Sequence, residues 1–232
     1  MRRNDPAQYE LLADQWWRPR GVFAALHWLA VARGRLVPPA TRPGAVLVDI
    51  GCGGGLLAPH VAAKGYRHVG VDLSPTGLSQ AREHGVRPVR GNALAVPLAD
   101  GCADVVVAGE ILEHVPDLAA AVAHACRLLR PGGLLVVDTL AATALCRFVM
   151  ITVGERIPRL VPRGIHDPAL LVDRDALRAE CARHGVPLEL RGIRPSVLDL
   201  LAWAIGRRST VRMVAAPTTA VLFQGWGHKQ AH

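Results

Sequence analysis

No two cysteines of this chain stand in a CxxC spacing; Cys52, Cys102, Cys126, Cys146 and Cys181 are scattered singly. That pattern excludes the ligand spacing of a zinc cluster and the framework of a small disulfide scaffold, and it predicts reduced thiols in a cytoplasmic protein. Long apolar runs are missing as well. No stretch approaches the roughly 20 uncharged apolar residues of a bilayer span. The opening MRRNDPAQYELLADQWW holds no apolar core of a secretory signal. Aromatic residues amount to only 4%, and no aromatic-interleaved basic patch is present, which argues against nucleic acid as a partner. The charge balance is nonetheless positive, +8 from 27 Lys+Arg against 19 Asp+Glu, with arginine dominating. Such a surface suits nucleic acid or an anionic membrane, but with no dense basic block it reads first as that of a basic cytoplasmic enzyme.

What the chain does have is core material. Apolar residues make up 50% and charged ones 20% of 232 residues, enough for one large domain and too much for a disordered chain. Pro6–Leu36 reads as one or two amphipathic helices broken at Pro19–Gly21, and VPPATRPG (Val37–Gly44) is a connector. Residues 1–44 are thus expected to be a helical cap of the same unit as a main domain at 45–232. From Ala45 onward short Val/Leu/Ile runs alternate with helical segments. Strands are expected at Ala45–Ile50, Tyr66–Leu73, VRPVRGNA, Asp104–Ala108 and LLVVDT, and helices at LLAPHVAAKG, after Ser74, and at Leu118–Leu129. This alternation predicts an α/β fold with a doubly wound, mostly parallel sheet. RPGG (Arg130–Gly133) is read as a helix stop, Asp173–His184 as a late helix, and the remaining tail as the last strands and a short helix. Residues 141–172 break the alternation and read as an inserted helix and loop, either a lid or a membrane-facing element.

The strongest local signal is Asp49–Ile50–Gly51–Cys52–Gly53–Gly54–Gly55, a glycine turn directly after the first strand. Glycines let the backbone approach a ligand where a Cβ would collide, and strand ends of this kind bind nucleotides in doubly wound folds. The spacing alone also serves NAD and FAD folds, and Asp72 at the end of the second strand suits a ribose in either class. An acid just before the turn favours S-adenosylmethionine, because its ammonium and sulfonium gain from a carboxylate that would repel a pyrophosphate. Asn92 and Ala93, before the fourth strand, suit the adenine ring. The expected cofactor contacts are Asp49, Gly51, Cys52, Gly53, Asp72, Leu73, Asn92, Ala93 and Gly109.

A second cluster follows the fourth strand in GEILEHVPD. Helical or turned backbone would put Glu110, Glu113 and His114 on one face. Two carboxylates and an imidazole suit Mg²⁺ or another divalent ion, and one of them suits proton abstraction from a phenolic hydroxyl. The three are therefore both the expected metal ligands and the expected catalytic residues.

At this point the chain resembles the ubiquinone-biosynthesis O-methyltransferases, class I enzymes that methylate polyprenylated catechols. The resemblance rests on WWRPRGVFAALHWL (Trp16–Leu29), VLVDIGCGGGLLAPHVAAKG (Val46–Gly65), GVDLSP (Gly70–Pro75), EILEHVPD (Glu110–Asp117), LLRPGGLLVVDTL (Leu128–Leu140) and VGERIPRLVPRGIHD (Val153–Asp167). It implies a seven-stranded Rossmann-like sheet and transfer of a methyl group from S-adenosylmethionine to a phenol, catechol or hydroquinone. It also implies a divalent ion at Glu110, Glu113 and His114. C- or N-methylation of a small metabolite is the alternative within the same fold. Leu145–Pro162 aligns with an insertion associated with membrane lipid and the apolar quinone precursor, and 145–163 is the expected stretch of peripheral membrane contact. There Phe148, Val149, Ile151 and Leu160 offer apolar surface, and Arg147, Arg156, Arg159 and Arg163 suit lipid phosphates. Two departures stand out. Ala141–Ala142 replaces an Asn-Arg pair, and Val211–Arg212–Met213 lacks the tyrosine of a Val-Asn-Tyr-Met pattern, so a changed acceptor pocket is expected.

Overall fold

Alternating side chains in the central strand organise the molecule. The structure, a computed structural model, describes residues 2–157 and 161–231. Its strands are β1 (Val46–Ile50), β2 (Arg67–Asp72), β3 (Arg87–Arg90), β4 (Ala103–Gly109), β5 (Leu129–Leu140), β6 (Glu189–Pro195), β7 (Met213–Ala215) and β8 (Leu222–His228). All of β4 is buried. Successive residues of a strand point to opposite faces, so Val105 and Val107 pack on one side with Leu47, Leu57 and Val136. Val106 and Ala108 pack on the other with Ala121, Ala125 and Leu177. Each valine or leucine buried in this way contributes about 1.5–3 kcal/mol. Covered on both faces, the sheet needs apolar residues at every position of its centre, which is why the strand reads as an unbroken DVVVA.

The strand order is β3-β2-β1-β4-β5-β8-β6-β7. The first five strands run parallel, and β8 runs antiparallel to β5 and β6. Seven strands were expected and eight are present, because Met213–Ala215 adds to the outer edge of β6 with Pro195 opposite Met213. The order reverses between β1 and β4, and a crevice at the carboxyl ends of such a pair is where ligands bind in open α/β sheets.

The helices are α1 (Ala7–Leu11), α2 (Ala24–Leu36), α3 (Ala58–Val61), α4 (Pro75–Glu83), α5 (Leu118–Leu128), α6 (Ala144–Cys146), α7 (Arg174–Arg183) and α8 (Val197–Ala204). Ser74 caps α4 by accepting from the Gly77 N–H at 2.8 Å, with Pro75 in the first turn. Asp117 caps α5 in the same manner. RPGG does more than stop α5. It is taken into β5 as an irregular stretch in which Gly132 has φ +77°, and the register against β4 jumps between Ala103 and Val105. In the insertion, α6 runs into a wider π-helical segment at Arg147–Val153 and a tight turn at Gly154–Arg156. Arg159 and Leu160, expected to face lipid, lie outside the described residues, and Ile151, expected on the apolar surface, is instead packed into the core with Leu140 and Cys146. Among the described residues no helix is long and apolar enough to cross a membrane.

Candidate active site

Strand ends β1, β2 and β4 open into a cavity of about 930 Å³. Asp49, Gly51, Cys52, Gly53, Asp72, Leu73, Asn92, Ala93 and Gly109 all line it, as do Glu110 and His114, whereas Glu113 lies behind the wall and is fully buried. The glycine turn is shaped by its own backbone. The amides of Gly51 and Cys52 donate to the Val71 carbonyl at 2.8 and 3.2 Å. Gly53 has φ +49°, and a Cβ there would stand 2.4 Å from the Trp16 ring. Asp72 is tied by both oxygens, accepting from the Gly53 N–H and the Ser74 N–H at 2.8 Å each. Burial pushes its carboxyl up, and those two N–H groups oppose the shift. Asp49 is buried at the end of β1, 3.5 Å from His68 Nε2. Asn92 accepts from the Leu94 N–H at 2.9 Å, so it forms a turn as well as lining the cavity.

The amino-terminal segment roofs this cradle. Tyr9 and Trp16 each stack on Phe23, with ring centroids 6.0 and 4.5 Å apart. Trp17 Nε1 donates to the Gly54 carbonyl at 3.0 Å. From α2, Arg33 reaches the cavity and pairs bidentately with Asp138 of β5, both contacts at 2.8 Å. Its guanidinium lies directly over Gly109, where a Cβ would meet Arg33 Cζ at 1.9 Å. Burial works against its charge, but Asp138, Asp49 and Glu110 raise its pKa overall.

The acid–histidine cluster is not α-helical. Glu110 takes a left-handed φ of +52°, and Leu112–His114 forms a short tight turn. Glu113 Oε2 accepts from Thr139 Oγ1 at 2.7 Å, while Oε1 of both glutamates is buried without a partner. Burial raises both carboxyls; the Glu113 charge raises Glu110 further, while the Thr139 hydroxyl and the nearby His166 oppose the shift at Glu113. Asn4 clasps His114 by donating its Nδ2 to the His114 carbonyl at 2.9 Å while its Oδ1 faces Nδ1 at 2.6 Å. Nδ1 therefore carries the proton, which leaves Nε2 to accept from the Tyr9 hydroxyl at 3.2 Å. Burial, with His166 beside it, lowers the His114 pKa to about 3, so the ring is neutral. Burial and the nearby Glu113, Glu110 and Asp72 raise that of Tyr9.

Ligand-capable atoms of Glu113, His114 and His166 lie within 4.8 Å of one another, and His166 Nδ1 is buried without a partner. This grouping takes in His166, which the sequence reading did not weigh, and leaves Glu110 outside. Asn4, Tyr9 and Arg33 were also missed. Each meets its site partner across about a hundred positions of chain, where local patterning carries no signal; the polar His166 within GIHD was the one available hint.

Residues 48–137 match the family described as Methyltransferase domain. The chain is 35% identical over 191 residues to the ubiquinone biosynthesis O-methyltransferase of Thiobacillus denitrificans, covering 79% of this chain and 82% of that one. Identity is 37% over 189 residues to the protein of the same name from Methylococcus capsulatus, covering 78% and 79%. Among solved structures, a SAM-dependent methyltransferase from Thermotoga maritima superposes with a TM-score of 0.66. It covers 96% of this chain and 98% of that one, at 19% identity, which speaks to the fold alone.

Proposed function

This chain belongs to the ubiquinone-biosynthesis O-methyltransferase family, and from that premise we propose that it moves a methyl group from S-adenosylmethionine to the hydroxyl of an apolar phenol, catechol or hydroquinone. The observation that carries this reading is one cavity in which the glycine cradle and Asp72 share a wall with Glu110 and His114. Asp72 has lone pairs left for ribose hydroxyls after accepting its two backbone N–H groups. The Gly51–Gly53 backbone admits the donor where a Cβ would not fit, and Leu73, Asn92 and Ala93 suit the adenine. Asp49 and Arg33 offer opposite charges to the ammonium and carboxylate of the methionyl end.

A sulfonium is already activated, so the protein's task is alignment and handling of the acceptor proton. A neutral His114 with Nε2 as acceptor holds a hydroxyl in line, as it holds that of Tyr9. With its pKa lowered to about 3 it is a weak base. Proton uptake falls to the Glu110–Glu113 pair, whose raised pKa values bring it nearer to neutrality. The orphaned oxygen of Glu113 and the nitrogen of His166 also fit a small divalent cation, which Glu113, His114 and His166 would hold with His114 Nε2 turned to the ion in place of a hydroxyl. Such an ion would lower the pKa of a hydroxyl bound to it.

Residues 1–44 act in this reading as a cap of the same unit as 45–232, since Tyr9, Trp16 and Arg33 all line the cavity. The insertion within 141–172 presents Leu145, Phe148, Val153 and Ile157 to solvent, an apolar surface suited to peripheral lipid contact through 145–163. Labelled S-adenosylmethionine with a panel of catechols and hydroquinones tests the proposal. Label on oxygen, reduced by chelator and restored by Mg²⁺, is expected. Label on carbon or nitrogen, or no calorimetric binding of the donor, would overturn it.

A further inference from the structure

Helix α8 packs Trp203 inward and still turns a second apolar face outward. At 3.6 residues per turn, Val197, Leu198, Leu201 and Ile205 fall within an arc of roughly 100°, and they are 58, 78, 60 and 68% exposed. The opposite face carries Asp199 and Trp203, only 3 and 7% exposed. An ordinary surface helix turns charged or polar residues to solvent on that outer face. Its inner face is well anchored. Asp199 pairs with Arg212 at 2.6 Å and Arg208 at 3.3 Å, and Trp203 packs edge-on against Trp28 at 5.2 Å. Arg20 lies over the Trp203 ring and donates to the carbonyls of Trp203 and Arg208. The exposed face is therefore a fixed feature of the fold.

Charge decides what this face meets. Residues 194–213 carry Arg194, Arg207, Arg208 and Arg212 against a single acid, the buried Asp199. Arg20 adds a fifth cation beside Trp203. Two copies meeting here about a two-fold axis would press one arginine rim against its equivalent, whereas lipid phosphates satisfy that rim and acyl chains the leucines. Arg194 and Leu200, from the base and flank of α8, line the same cavity as Val149, Val153 and Ile157 of the insertion. The helix thus borders the cavity on a different element from the insertion.

We propose that α8 docks on an anionic lipid surface, with Val197, Leu198, Leu201 and Ile205 in the acyl boundary and, on the phosphates, the exposed Arg207 together with the solvent-facing sides of Arg208 and Arg212, which Asp199 holds in place. In this position the cavity faces the phase that holds an apolar acceptor, a purpose that rests on the acceptor reading above although the surface does not. The full-length protein is sedimented with phosphatidylcholine vesicles, with and without roughly a third phosphatidylglycerol. The wild type is expected to bind the anionic vesicles and to release with salt. Leu198→Asp combined with Ile205→Asp is expected to weaken that binding about tenfold or more. Methylation of a short, water-soluble catechol stays unchanged in this variant, which also shows that it folds. Equal vesicle binding by the double variant overturns the proposal, as does loss of all binding in Phe148→Asp alone, or a dimer that the double variant dissolves while vesicle binding persists. Vesicle binding that depends on α8, with no catechol methylated, would sink the acceptor reading and leave the docking surface standing.

Discussion

Asp72, Asn4 and His114 show how much individual side chains depend on backbone partners. The Asp72 carboxylate is positioned by two N–H groups before any ligand arrives, and a charge-assisted hydrogen bond contributes about 1.5–3 kcal/mol. Asp72→Ala is expected to weaken calorimetric binding of S-adenosylmethionine by about tenfold or more. Asn4 sets the His114 tautomer from outside the strand–helix framework. Nitrogen-15 NMR should find His114 neutral and protonated at Nδ1 until the pH falls toward 3, its pKa being about 3. Asn4→Ala should disturb that signature while the fold survives; an unchanged spectrum would remove Asn4 from this role. The glycine turn and Asp72 were legible in the sequence because their spacing is local. The Asn4–His114 clasp was not, since its partners are 110 positions apart.

The elements divide in the same way. Strand β4 and helix α5 announce themselves through unbroken valines and an Asp117 cap, and their packing is correspondingly sensitive. Leu128, fully buried where α5 meets the sheet, should cost about 2–5 kcal/mol as Leu128→Ala, read as a lower midpoint in urea at unchanged slope. The segment after Arg147–Val153 depends instead on a buried carboxylate. Burial works to raise the Glu155 pKa, but the His166 ring, the Gly164 N–H and Arg3 outweigh it and hold the group at about 2, below its ordinary 4.5. A folded value below the unfolded one stabilises above about pH 4.5, and that contribution is lost as the pH falls toward 2. The difference in Tm between wild type and Glu155→Gln should therefore shrink across that window. A constant difference would assign the effect to packing. The tail was expected to hold the last strands, but β7 has no bounds of its own in the sequence because three residues on a sheet edge have too few neighbours to impose a pattern.

For the molecule as a whole, the proposed site is a cavity that amino-terminal residues such as Tyr9, Trp16 and Arg33 help to line. Arg33 and Asp138 are the buried link between that segment and the sheet, and replacing one partner strands the other charge. Arg33→Met is expected to cost about 3–5 kcal/mol and to weaken binding of the donor. Calorimetric binding at wild-type strength in a folded Arg33→Met protein would remove Arg33 from the donor site. The sequence by itself determined the parallel α/β sheet, the glycine turn and the family, because hydrophobic period and short motifs are properties of neighbouring residues. Only the tertiary structure decided which charges meet in the cavity, that His166 joins Glu113 and His114, and that α8 turns its apolar side outward. Those outcomes depend on which distant surfaces the chain brings into contact, and burial and charge pairing have no one-dimensional signature.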